Sequence, residues 1–170
     1  TIILSLFVAL TGCNDWLDVS PKADMKAEDL FGTEAGFRDA LVGVYALMCG
    51  TNSYGRDLTY GYLDVLAQYY NSPLKTTSSG YEHNFKNAAE YKYTEKTEES
   101  RISSIWSNHF SAVANINQAM LFIDENKGVF TSPEVHDVYK GEFLALRAFL
   151  HFDILRLFAP SAAMNNNKGL

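Results

Sequence analysis

Proline is scarce here, with four in 170 residues, and cysteine scarcer, with two. Two cysteines cannot build a disulfide framework, and a chain of this length needs none, since it can bury roughly 70% of its unfolded surface. Basic residues are outnumbered, 14 against 20 acidic, for a net charge of −6. No basic patch stands out, so the electrostatic footprint of a nucleic-acid binder is missing. The most apolar stretch, residues 2–10 reading IILSLFVAL, falls well short of the about 20 residues a bilayer-spanning helix requires. Glycine-rich phosphate loops, G-x-S-x-G and H-E-x-x-H are all lacking. The four histidines, His83, His109, His136 and His151, form no pair at one-turn spacing, and no Cys or His cluster has zinc spacing. Catalytic residues, metal ligands and cofactors are therefore not expected.

What is present is apolar and aromatic: 47% apolar residues and 14% aromatics, with 11 Phe and 10 Tyr. The pattern is helical. Thr33 suits an N-cap for a helix to about Met48, with Phe37, Leu41, Val44, Tyr45 and Met48 at helical spacing and Gly50 as its stop. A second helix is expected over about 55–70, with Tyr62 and Tyr69 packed in the core. Ile102, Trp106, His109, Val113, Ile116, Met120 and Ile123 step alternately by four and three, a seam at the period of left-handed helix packing. His109 on that seam reads as a hydrogen-bonded residue between helices. Ser132 and Pro133 suit the N-cap and first turn of a last helix, which Pro160 ends. From Phe143 this helix is apolar nearly all round, so other elements must cover it. Arg147, His151, Asp153 and Arg156 on it read as a structural ion network. No strand pairing is evident. The fold class is mainly α, antiparallel helix pairs of tetratricopeptide-like type with long connecting loops.

Paired acids carry no clear chemistry. A glycosidase needs two carboxyls facing each other across a bond. Glu98-Glu99 and Asp124-Glu125 are adjacent in sequence and point apart on a helix. Glu98 and Glu99 suit a helix N-terminus, where the macrodipole favours acids.

Tyrosine is the unusual feature. Eight of the ten lie between residues 54 and 93. Tyrosine rings pack on the C–H faces of sugars and hydrogen-bond at the rim. Residues 71–96 read as a long irregular connection, and connections of that length in compact domains are commonly functional. Tyr81, His83, Tyr91 and Tyr93 within it are the candidate ligand-binding residues.

The beginning of the chain resembles an exported lipoprotein. Residues 1–12 are similar to an incomplete signal peptide, and Leu10-Thr11-Gly12-Cys13 resembles a lipobox, in which Cys13 would carry the lipid and begin the mature protein. Residues 13–32 would then be the lipidated tether, and 33–170 a helical domain truncated at its C-terminal end. Cys49 is left single and reads as a small buried thiol.

Ordered matches along the chain resemble the SusD/RagB family. They are Asp15-Trp16-Leu17-Asp18-Val19-Ser20-Pro21-Lys22, Glu28-Asp29-Leu30-Phe31, Gly36-Phe37-Arg38-Asp39-Ala40-Leu41-Val42-Gly43-Val44-Tyr45, Trp106 with Ile116-Asn117-Gln118-Ala119, and the block from Tyr139 to Phe152 followed by Leu155-Arg156-Leu157-Phe158. The exit Phe158-Ala159-Pro160 departs from the aromatic-Gly pair that many members show. The resemblance implies the N-terminal part of a surface-exposed lipoprotein, held on the outer membrane through Cys13 and lacking enzymatic activity. It implies binding of an oligosaccharide or other oligomeric nutrient, and hand-over to a SusC-like TonB-dependent β-barrel transporter. A different role, a lipid-anchored helical scaffold for a protein or peptide partner, fits the same helices.

Overall fold

A computed structural model describes residues 26–70 and 84–160. Its elements are α1 (Ala27–Leu30), α2 (Glu34–Met48), α3 (Tyr62–Leu66), α4 (Lys86–Ala89), α5 (Lys96–Ile123) and α6 (Pro133–Phe158), with a 3-10 turn at Lys127–Val129. No strand occurs among the described residues. The mainly α reading holds.

Helix ends follow local chemistry. The Thr33 hydroxyl accepts the Gly36 amide at 3.1 Å, and the Ser132 hydroxyl accepts the Val135 amide at 3.4 Å, with Pro133 in the first turn. Each cap supplies one acceptor to amides that the helix itself cannot satisfy. Gly36 has a second reason to be glycine. A Cβ there would lie 1.6 Å from the Leu30 carbonyl oxygen, so α1 can cross the start of α2 only against a bare backbone.

The central element is α5, with α2 along one side and α6 along the other. The α5–α6 pair is antiparallel. Partners appear in opposite chain order: Asp124 with Lys140, Asn117 with Arg147, Phe110 with His151, Trp106 with Phe158. The short connection between them makes this a helical hairpin. Phe37, Val44, Ile116, Ile123, Phe143 and Leu150 fill the main core. Each such side chain contributes about 1.5–3 kcal/mol by leaving water. A smaller cluster of Leu58, Tyr62, Val65, Phe85, Ala88 and Ile105 lies where α3 and α4 meet the N-terminal half of α5.

Five expectations need correction. The helix over 55–70 is only Tyr62–Leu66, preceded by a chain of turns from Gly50 to Gly61. Those turns bring backbones close: a Cβ on Gly55 would sit 2.2 Å from the Cys49 carbonyl oxygen. Tyr62 is core, but Tyr69, beyond the short helix, is exposed. The irregular connection contains α4, and α5 already begins at Lys96. Cys49 is exposed rather than buried. Finally, α6 is not covered all round: Leu144, Phe149, Phe152 and Leu155 lie exposed, and of Arg147, His151, Asp153 and Arg156 only Asp153 is buried.

Candidate functional site

Trp106 shows how the site arises. The α5 seam places it inward, yet it is 44% exposed, and Ile105 takes the buried position one residue earlier. The outward ring packs edge-on to Phe158 at 4.9 Å and tilted against Phe110 at 4.6 Å. Phe158 in turn lines a hollow of about 270 Å³. Its walls come from three directions: Tyr62, Leu63 and Leu66 of α3, Ile102 and Ile105 of α5, Leu157 and Phe158 of α6. Tyr93 completes the lining from the turn before α5. An exposed aromatic band thus runs from Phe110 through Trp106 and Phe158, past the hollow, to Tyr93 and Tyr91.

Two of the four ligand candidates belong to this band. Tyr91 is 49% and Tyr93 46% exposed, with ring centroids 6.2 Å apart. The Tyr91 hydroxyl donates to the Leu66 carbonyl at 2.9 Å, which ties the turn to α3. Tyr91 adopts a left-handed backbone, φ 53°, unusual for an aromatic residue and fixed here by its neighbours. Desolvation and the neighbouring Tyr91 raise the Tyr93 phenol above its ordinary pKa. Tyr81 and His83 lie outside the described residues, as does Cys13. The sequence reading missed Trp106, Phe110 and Phe158 as surface residues. The Trp106/Phe110 spacing of one turn did put both on one face, but the seam drew Trp106 to the other.

A buried charge cluster supports the hollow from behind. The Arg101 guanidinium lies 4.5 Å from the Phe85 ring centroid and 5.7 Å from that of Tyr62. It donates to Asn84 at 2.9 Å and to Asp57 at 3.3 Å, and Arg56 donates to Asp57 at 2.7 Å. Glu98 lies in the first turn of α5, as its helix-end reading has it, and is fully buried there (0% exposed). Its nearest cation is Arg101 Nε at 3.6 Å, too long for a hydrogen bond, and neither carboxylate oxygen has a hydrogen-bond partner. Burial raises the Glu98 carboxyl above its ordinary pKa, and Arg101 offsets only part of that. The Tyr62 phenol is pushed up to about 12, first by burial and then by the Glu98 charge.

A second network joins three segments. The Tyr54 hydroxyl donates to Asp153 at 2.6 Å, and Arg156 pairs with Asp153 at 3.2 Å. Burial and the Asp153 bond raise the Tyr54 phenol far above its usual range. His109, fully buried on the seam, places Nδ1 2.9 Å from the Ile105 carbonyl and Nε2 3.4 Å from the Tyr54 hydroxyl. Donation to that carbonyl requires the proton on Nδ1. Arg147 donates to Asn117 at 3.2 Å, and His151 sits edge-on to Phe110. The α6 charges therefore bind helices together, though mostly from the surface.

Among the described residues no group of three or more acids, histidines or cysteines is arranged to hold a metal ion. No helix among them is long and apolar enough to cross a membrane. The chemistry on offer is aromatic stacking around an apolar hollow, which is the chemistry of a binding surface.

Comparison with known proteins agrees with that class. The chain matches the SusD-like family described as "starch-binding associating with outer membrane" over residues 15–168. The protein belongs to this SusD-like family, a family of outer-membrane-associated starch-binding proteins. No curated protein and no solved structure matches it.

Proposed function

We propose that this chain is part of a cell-surface lipoprotein that binds oligosaccharides, or other oligomeric nutrients, and passes them to a TonB-dependent outer-membrane transporter. The observation that carries the binding half is the exposed aromatic band of Tyr93, Phe158, Trp106 and Phe110 beside an apolar hollow. Such rings cover the C–H faces of sugars, and their rigidity keeps the entropy cost of binding low. The transporter and lipid halves rest on the family and on the lipobox-like Leu10-Thr11-Gly12-Cys13. Anchoring through Cys13 would hold the domain at the membrane, and two or more acyl chains suffice for that.

The test is calorimetric titration of maltoheptaose and soluble starch into the full chain and into Tyr93→Ala and Trp106→Ala. Loss of one stacking ring should weaken binding roughly tenfold. Unchanged affinity in both variants, with melting curves intact, would remove the band from the site. A scaffold role remains the second reading, favoured by the outward apolar residues Phe149, Phe152 and Leu155 of α6. Co-purification from solubilised outer membranes separates the two: a β-barrel in near-equal amount supports uptake, whereas a soluble protein partner supports the scaffold.

A further inference from the structure

The hollow beside the aromatic band is poorly suited to a sugar. Of the residues lining it, only Tyr62 and Tyr93 carry a polar side-chain atom. The other walls are leucine, isoleucine and phenylalanine. A hexose unit buried there would bring several hydroxyls and find two phenols. Each hydroxyl buried without a partner lowers affinity by about tenfold or more. Volume points the same way. A dry apolar cavity of about 150 Å³ accommodates benzene. At about 270 Å³, this one has room for a substituted ring. One polar contact is waiting: Tyr62 is 4% exposed, and its hydroxyl makes no hydrogen bond among the described residues. Arg101 stacks on the Tyr62 ring, and this holds the phenol in place.

We propose that this hollow binds a monocyclic aryl group with one hydrogen-bonding atom, carried as an appendage on the glycan that the aromatic band holds. The ring enters between Leu66, Ile102 and Leu157, and its polar atom meets the Tyr62 hydroxyl. The glycan lies outside, across Tyr93, Phe158 and Trp106. This deepens the proposed function and rests on it for the glycan half. An aryl group has a second source, a free phenolic compound, which would occupy the hollow without any sugar.

Three probes separate these possibilities in calorimetric titrations of the full chain: 4-nitrophenyl α-maltoside, maltose and 4-methylphenol. The aryl maltoside should bind at least tenfold tighter than maltose. Ile102→Phe, which fills the hollow, should abolish that advantage. Tyr62→Phe should weaken the aryl maltoside by roughly 2- to 10-fold, the worth of one hydrogen bond. It deletes a single atom, so it decides the matter should the larger substitution fail to fold. Equal affinity for aryl maltoside and maltose overturns the inference while the glycan reading stands. Binding of 4-methylphenol that both variants weaken, with no response to either maltoside, leaves an aryl site and overturns its glycan half along with the glycan reading. Silence from all three probes overturns both.

Discussion

Replacing Glu98 by methionine should stabilise the protein, although it deletes a charge beside an arginine. Glu98 is fully buried, and both its oxygens lack hydrogen-bond partners. Leaving a buried polar group unpaired costs about 1–3 kcal/mol. Methionine has similar bulk, a flexible shape and no such requirement. The loss on the other side is small, because Arg101 keeps Asp57 at 3.3 Å and Asn84 at 2.9 Å. The net gain for Glu98→Met is about 1–3 kcal/mol at about pH 8, or several degrees in melting temperature. The pH dependence gives a sharper criterion. The folded carboxyl has its pKa raised above the ordinary 4.5, mainly by burial, so the folded state binds its proton more tightly than the unfolded state. Its contribution to stability is fully present below about pH 4.5 and is lost as pH rises through the folded value. The gain from Glu98→Met must therefore grow with pH across that window. Urea melts of both proteins from about pH 4 to 8 measure it, and the other titrating groups cancel in the difference. A variant less stable than wild type at about pH 8, or a gain that ignores pH, would refute the reasoning.

Other substitutions test the frame. Gly36→Ala should cost at least about 3 kcal/mol and sharply reduce folded yield, since the new methyl meets the Leu30 carbonyl at 1.6 Å. Phe143→Ala, at a side chain with no exposure, should cost about 3–5 kcal/mol in denaturant melts. Tyr54→Phe should cost about 1–3 kcal/mol by leaving Asp153 with Arg156 alone as a close partner, and calorimetry should register the drop.

Some of this was legible before any coordinates. The boundaries of α2 and α6 follow from Thr33, Ser132 and Pro133, because caps are local chemistry. The family resemblance was legible in ordered short matches, and the tyrosine-rich stretch marked two residues of the aromatic band. The seam on α5 was read with one residue out of place, Trp106 for Ile105. A step of four and a step of three are both compatible with a helical face there.

What the sequence determined by itself was therefore whatever neighbours along the chain can settle: helix type, the capped starts of α2 and α6, the mainly α class and the family. Tertiary structure decided which side of each helix meets another. It turned Trp106 outward onto Phe158, buried Glu98 beneath Arg101, and left one face of α6 open. It also assembled the hollow from α3, α5, α6 and the Tyr93 turn, segments distant in the chain. Periodicity gives a helix an apolar side, but burial depends on which elements are there to cover it, and that is fixed only when the helices pack.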